Sequence, residues 1–509
     1  MPRQTADPGI PPLWNVRRII VCTGLILIGI VQTLGAIALS SSAAALLTGA
    51  KNIHGLPVAP ALVAAALTGF VSFVVQHRTA ERFALSYVHD VRVSYARHVL
   101  LLPFDGKSPE LGLSLTRLVN DLGAVKLWLS RGLLALVTLA ASLLTLTLWL
   151  ALAERSFLVP LVSCLALWTL GIAAALAPLR KSIRRSRQKR GRLAVLLGRA
   201  LPERLPLLMH GKLAPVTDRL TRTSTEVCNL LVTRATWSGA MRALSRATFP
   251  CAAGVFALTE GIEGGKIALF LLIFAFVSTQ LESGAAGLEF FEAYRVARDK
   301  LQRVFNLPTL APFKTVAEQV PDWQKSIEIV LLELPSGEKL SAGIEAGACT
   351  RICRDNTRDL RHIALSLSGL TRRPSQERIL IDGVTFADIG RKSLWRNVAL
   401  LSPENGIPAY QKNRPAFLFG ARRDPCGDEQ AAVRSSLGLD EDWTAGVTQK
   451  MPESERVRIR IARALLRKPK LLIVHDDSLS GNDCLALRLQ ELATDHGTTL
   501  VILAKNDPA

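Results

Sequence analysis

The chain is short of acid. Its 509 residues hold 62 lysines and arginines against 42 aspartates and glutamates, a formal net charge of +20. Aromatic residues are only 6% of the total, and none interrupts the densest basic cluster, Arg180, Lys181, Arg184, Arg185, Arg187, Lys189, Arg190 and Arg192. Nucleic-acid grooves interleave stacking rings with basic side chains. No nucleic acid is therefore expected as a partner, and the cluster reads as a juxtamembrane stripe beside anionic lipid. Zinc and thioredoxin spacings are missing from the eight cysteines, of which Cys349 and Cys353 form the one close pair. Cys22, Cys164 and Cys251 lie inside apolar runs, where buried thiols are expected. Glycine is absent between Gly347 and Gly369, in "GACTRICRDNTRDLRHIALSLSG".

Long apolar runs are present in quantity. Charge-free stretches cover Ile19 to Ala50, Gly55 to Gln76, Gly132 to Ala153 and Phe157 to Leu179, each at or above the roughly 20 residues that cross a bilayer. Two shorter runs follow, Ala247 to Thr259 and Ile267 to Leu281, which cross only if a charged residue snorkels or polar positions face other helices. The expectation is six spans, at about 19–50, 55–76, 132–153, 157–179, 243–260 and 266–284. The first run is far longer than the apolar core of a signal peptide, about 7 to 15 residues, and is expected to stay in the mature protein. Basic residues crowd the segments after the second and fourth spans, whereas the turns near Lys51, Arg155 and Lys266 hold few. By the positive-inside rule both termini are cytoplasmic.

Between the second and third spans, residues 77–131 carry Phe83, Leu85, Val88, Val91 and Val93 at helical spacing, interrupted by a Pro103 to Pro109 turn. Residues 180–242 repeat the design around a "HGKLAP" breaker. Two helical hairpins are thus expected on the cytoplasmic side of a transmembrane domain, 1–306. "LEFFEAYRVARDKLQRVFNLP" continues the sixth span as an amphipathic helix, and 307–326 reads as a linker. From 327 to 509 short apolar runs, "IEIVLLEL", "ILIDG", "VALLS", "KLLIVHD" and "TLVILAK", alternate with polar helical stretches. That texture predicts an α/β domain with a largely parallel core sheet.

This plan resembles an ATP-binding-cassette (ABC) exporter half-transporter: a six-helix transmembrane domain with long cytoplasmic extensions, then a P-loop-NTPase-like domain. "LPFDGKSPELGLSLTRLVNDLGAVKLWLSRGL", ending its loop in Asn120 and Asp121, is similar to the family's first intracellular loop. "ERILIDGVTF" is similar to the strand and turn after the phosphate loop, and "RVRIRIARALLRKPKLLIV" to the signature helix and the strand behind it.

The resemblance implies a phosphate loop, G-x-x-x-x-G-K-[ST], whose amides and lysine surround the phosphates while the hydroxyl holds magnesium. Placed on this chain without a gap, its two glycines fall at Arg354 and Asp359, its lysine at Leu360 and its hydroxyl at Arg361. The adenine-stacking aromatic falls at Leu334, and the metal-sensing glutamine at Pro403, beside Glu404. The signature reads Met451-Pro452-Glu453-Ser454-Glu455, and the magnesium-binding aspartate, general base and switch histidine fall at His475, Asp476 and Lys505. Phosphoryl transfer relies on several electrostatic contributions at once, so losing all of them predicts a domain that neither hydrolyses ATP nor binds it in the usual way. No catalytic residue, cofactor or metal site is assigned.

Three clusters stand apart from those stations. Arg351, Arg354, Arg358 and Arg361 are spaced to share a helical face, as an anion site or a solvated surface. His475, Asp476 and Asp477 sit at a strand end where side chains point apart, a poor metal arrangement. Glu260, Glu263, Glu282, Glu289 and Glu292 lie around the last two spans, where acids are candidates for substrate contact, Glu282 foremost. The expected function is a catalytically inactive subunit of an exporter in the cytoplasmic membrane, a hetero- or homodimer with another ABC half-transporter, driven by an ATPase-competent partner. The alternative is a non-transporting membrane scaffold or sensor on the same fold.

Overall fold

In hydrocarbon a chain must satisfy its backbone internally, which favours long unbroken helices. The computed structural model describes residues 10–47, 52–53, 56–104, 121–259, 264–310, 323, 326–371, 378–386, 388–403, 406, 417–418, 426–439, 452–475, 483–495 and 497–505. Two compact units emerge: Met1–Leu100 with Pro109–Leu307, and Leu101–Ser108 with Pro308–Ala509.

The first unit is helical. It comprises α1 (Val16–Leu47), a small antiparallel pair β1 (Asn52–Ile53) and β2 (Leu56–Pro57), α2 (Val58–Leu100), α3 (Leu122–Leu127), α4 (Leu134–Ala153), α5 (Leu158–Ala200), α6 (Arg204–Met209), α7 (Leu213–Thr259) and α8 (Gly264–Phe305). A π-helical turn, Trp128–Leu133, joins α3 to α4. Among the described residues, five helical stretches are long and apolar enough to cross a membrane: α1, α2, Leu122–Ala153, Arg155–Ala200 and Lys266–Phe305. The stretch α7 is not one of them, because Arg242 and Arg246 confine its apolar run to the last turns before Thr259. Expected spans and hairpin arms are single helices: α2 and α5 pass from apolar to basic sequence without a break.

Packing in this unit combines close backbone approach, aromatic contact and buried polar links. A Cβ on Gly287 of α8 would lie 3.0 Å from the carbonyl oxygen of Gly132, so only glycine lets the two chains approach there. Phe157, Phe256, Phe270 and Phe274 form a continuous aromatic chain, with Phe256 and Phe270 stacked at 4.4 Å and Phe270 and Phe274 at 4.2 Å. Gln76 Nε2 donates to Thr138 Oγ1 at 2.8 Å and its Oε1 accepts from Gln32 Nε2 at 2.9 Å, while Thr33 donates to Ser142 at 2.9 Å. These bonds link α1, α2 and α4.

The second unit holds two sheets. An antiparallel sheet has strand order β4-β3-β6-β7, from β3 (Ser326–Glu333), β4 (Lys339–Glu345), β6 (Arg378–Ile381) and β7 (Val384–Thr385). A parallel sheet has the order β5-β10-β9-β8, from β5 (Cys349–Arg354), β8 (Val398–Leu401), β9 (Leu471–Val474) and β10 (Thr499–Lys505). "IEIVLLEL" and "ILIDG" thus belong to the antiparallel sheet, outside the parallel core. Helices α9 (Thr357–Leu367), α10 (Arg391–Asn397), α11 (Gly427–Ser436), α12 (Glu453–Leu466) and α13 (Asp483–Asp495) complete it.

Strand side chains alternate between faces. Leu471, Ile473, Val501 and Leu503 enter one core with Leu360, Ile363 and Leu367 of α9, while Leu472, Val474 and Leu500 enter another with Val457, Ile461 and Leu465 of α12. A sheet covered on both faces needs apolar residues at every position, which is why β9 reads Leu-Leu-Ile-Val. Leu101–Ser108 belongs to this unit: Phe104 N–H donates to Leu370 O at 3.0 Å, and Leu310 N–H to Leu101 O at 2.7 Å.

Candidate functional site

The parallel sheet delivers β5, a tight turn and α9 in the order a phosphate loop would use, and the turn decides the chemistry. Arg354 ends β5, Asn356 caps α9, and the helix is already under way at Thr357. An open loop wrapped around phosphate offers unpaired amides; here three amides at the helix start are taken. Asn356 Oδ1 accepts from Arg358 N–H at 3.0 Å, and Asn356 O accepts from the N–H groups of Asp359 and Leu360 at 3.0 and 3.2 Å. Two of the donors that make a helix N-terminus attractive to anions, those of Arg358 and Asp359, are thereby used at the helix start.

The station of the lysine is filled by core. Leu360 is 3% exposed and packs with Ile363, Ala364 and Leu367. Asp359 is equally buried, and its Oδ1 accepts the backbone N–H of Ser336 at 3.2 Å. That bond ties α9 to the turn between β3 and β4, next to Leu334, itself buried in the same core. At the position where the resemblance places a phosphate-loop glycine, this chain has that buried carboxylate.

Arg351 and Arg354 lie on β5 while Arg358 and Arg361 lie on α9. The expectation of one helical face is therefore corrected: the spacing of three to four residues crosses the strand-to-helix turn. Pro403 is exposed at the end of β8. His475 follows β9, and its N–H donates to Leu401 O at 2.8 Å, extending the pairing of β8 with β9. Lys505 is the exposed last residue of β10. The signature stretch caps α12 with Pro452, whose carbonyl accepts from Arg456 N–H at 3.1 Å. Within α12, Arg458 donates to Gly438 O at 3.0 Å and Arg460 to Ser402 O at 3.3 Å, while burial and the neighbouring Arg467 and Arg460 push the Arg463 guanidinium below its ordinary value. Asn120, Glu404, Met451, Asp476, Asp477, Glu260 and Glu263 lie outside the described residues.

Asp121 is buried at the head of α3. It accepts from Arg187 of α5 at 3.4 Å and lies 4.0 Å from Lys300 of α8. Three acidic residues of α8, Glu282, Glu289 and Glu292, are likewise paired. Glu282 holds Arg246 through two 3.0 Å bonds, and Glu292, 2% exposed, accepts from Arg180 at 2.6 Å.

Glu289 lines a cleft. A cleft of about 410 Å³ opens between α7 and α8, lined by Leu231, Arg234, Ser238, Gly239, Arg242 and Glu289 among others. Arg234 donates to Glu289 Oε1 from Nε at 3.2 Å and Nη2 at 2.7 Å, and Ser238 donates to Oε2 at 2.5 Å. Sequence reasoning passed over the α7 side of this cleft. The signal was there: Arg234, Ser238, Arg242 and Arg246 recur every four residues, the stripe one helix presents to a neighbour.

No protein-family model matches the chain. It is 25% identical over 267 residues to ABC transporter B family member 22 of Arabidopsis thaliana, covering 48% of this chain and 21% of that protein. It is 30% identical over 143 residues to the ATP-dependent lipid A-core flippase of Chromobacterium violaceum, covering 25% of this chain and 24% of that protein. The matched segments therefore span about a quarter or less of those relatives' lengths. A solved bacterial Atm1-family ABC exporter with ATP bound superposes with a TM-score of 0.75 at 16% identity, over 97% of this chain and 91% of that one. The chain has the fold of an ABC exporter half-transporter, multi-pass helices followed by an α/β domain, and its sequence relatives are ABC transporters.

Proposed function

We propose that this chain is a subunit of an exporter-type transporter in the cytoplasmic membrane whose own nucleotide domain does no ATP chemistry, and that an ATPase-competent half-transporter supplies the energy. One observation carries the reading: the first turn of α9 spends the amides of Arg358, Asp359 and Leu360 on Asn356, while the Leu360 side chain lies in the core. Binding a triphosphate there would require refolding the helix start and exposing apolar surface, at a cost no single contact repays. The domain is kept as a fold, with both faces of its sheet packed, so it retains a body on which transmembrane helices and a partner can dock.

The test is ATP hydrolysis and retention of labelled ATP by the purified full chain, alone and with the half-transporter that co-purifies with it. The expected result is neither activity from the chain alone and both from the pair. Turnover by the chain alone, at rates typical of transporters, would sink the reading.

A scaffold or sensor is the second reading, favoured by the signature stretch. A partner's triphosphate would meet Pro452, Glu453, Ser454 and Glu455 at the start of α12, so the composite site across a dimer lacks its contribution from this chain. Co-purification of an intact half-transporter at one to one supports transport; a homodimer, or a regulatory protein in its place, supports scaffolding.

A further inference from the structure

We infer that the cleft between α7 and α8 is a binding subsite for an anionic headgroup, a phosphate or carboxylate, and that Arg242 is the residue that meets it. Calling the ligand a cargo rests on the exporter reading; the subsite itself rests on geometry. Glu289 has hydrogen-bond donors on both oxygens, one taken twice by Arg234 and the other by Ser238. Arg242 reaches only to 3.9 Å from Glu289 Oε2, beyond hydrogen-bond range, and its side chain is half exposed. One turn further on, Arg246 is held by both oxygens of Glu282. Of Arg234, Arg242 and Arg246, Arg242 is thus the guanidinium that makes no hydrogen bond to these acids and is held only by a long ion pair, with half its side chain exposed.

Four features make the cleft more than a solvated arginine. Two guanidiniums against one carboxylate leave a net positive charge, and a planar fork pairs with phosphate or carboxylate through two parallel bonds. Glu289 fixes Arg234 and Ser238 before any ligand arrives, so the polar wall is preorganised. A Cβ built on Gly239 meets no atom within 4 Å, so the wall beside Arg242 stays open. The volume of about 410 Å³ lies within the range of small-ligand sites, roughly 300–1,000 Å³. Such a headgroup has two sources, a membrane lipid or a soluble organic anion.

The experiment uses the full chain in nanodiscs of phosphatidylcholine. Labelled phenyl phosphate serves as the soluble probe, phenol as its neutral analogue and labelled phosphatidic acid as the lipid probe. Phenyl phosphate or phosphatidic acid is expected to bind, and phenol not. Arg242→Ala is expected to weaken binding by about tenfold or more, the loss of a charged hydrogen-bond pair. Gly239→Leu, whose side chain enters open space, is expected to block the cleft without shifting the unfolding transition. Mutual competition between the two phosphates means the cleft reads the headgroup from either source; binding of phosphatidic acid alone assigns it to lipid. The inference is overturned if the wild type binds neither phosphate, or if both variants bind as tightly as the wild type. No ATP or partner enters this assay, so its failure leaves the reading of the nucleotide domain standing.

Discussion

Asp359 and Ser336, far apart in sequence, are joined by a 3.2 Å hydrogen bond in which the buried carboxylate accepts the backbone N–H of the β3–β4 turn. A position that elsewhere calls for glycine has become a structural tie. Asp359→Ala would orphan that amide and leave a void, so it should destabilise the second unit by about 1–3 kcal/mol. Asp359→Asn keeps the acceptor and should cost less. Denaturant titration followed by tryptophan fluorescence checks both, and equal effects from the two variants would show that charge, and not the bond, is what matters.

Restoring the lysine alone should do harm. Leu360→Lys would push an ammonium among Ile363, Leu367 and Leu503, where burial of an unpaired charge costs at least several kcal/mol. The expected outcome is a large loss of folded protein with no gain in labelled ATP retained. A soluble, stable variant that bound ATP would mean the cradle is still latent in the backbone.

Asn356→Ala removes the cap of α9. The loss of its bond to Arg358 N–H should lower stability by about 1 kcal/mol, and Asn356→Asp should recover most of it, since a carboxylate also accepts and favours a helix N-terminus. Amide exchange at Arg358 is the direct readout, with protection falling in the alanine variant alone.

Sequence reached the fold further than it reached the sites. Apolar runs such as Ile19 to Leu47 and Leu471 to Val474 announce themselves because each is buried or lipid-facing on all sides. The strand β5 did not, because "CTRICR" lies at the edge of its sheet, pairs only with β10 among the described strands and buries only Ile352 fully. The same edge misled the reading of Arg351 to Arg361 as one helical face. The residues that the resemblance sets at the phosphate-loop lysine and glycines were readable as identities, yet that Asp359 would find Ser336 and that Asn356 would consume three amides are consequences of the turn's geometry. Glu282 reads as a candidate because it is an acid near membrane depth; its bidentate pairing with Arg246 depends on the register between α7 and α8, which a single chain of letters does not carry.

Close approach of α8 to the π-helical turn depends on Gly287. Its added Cβ would meet Gly132 O at 3.0 Å and Leu136 Cγ at 3.3 Å, and neither a backbone carbonyl nor a packed branched side chain gives way freely. Gly287→Val should therefore cost about 1–3 kcal/mol by overpacking, with Gly287→Ala toward the low end. Unfolding in increasing dodecyl sulfate measures the order, wild type above alanine above valine.

Gln76 is the polar hinge of the first three long helices, donating to Thr138 and accepting from Gln32. It is 3% exposed, within a stretch otherwise apolar. Hydrogen bonds between membrane helices average about 0.6 kcal/mol and rarely exceed 1.7, because an unfolded helix in lipid also finds partners. Thr138 keeps a bond of its own to Leu134 O at 2.8 Å whether or not Gln76 is present, so the loss falls mainly on Gln32. Gln76→Leu should then cost about 1 kcal/mol in total, and the coupling between Gln76→Leu and Thr138→Val in a double-mutant cycle should be near 0.6 kcal/mol. A coupling indistinguishable from zero would mean the 2.8 Å contact holds nothing together; one of several kcal/mol would mean that the helices have no other partners in lipid and that this link organises the bundle.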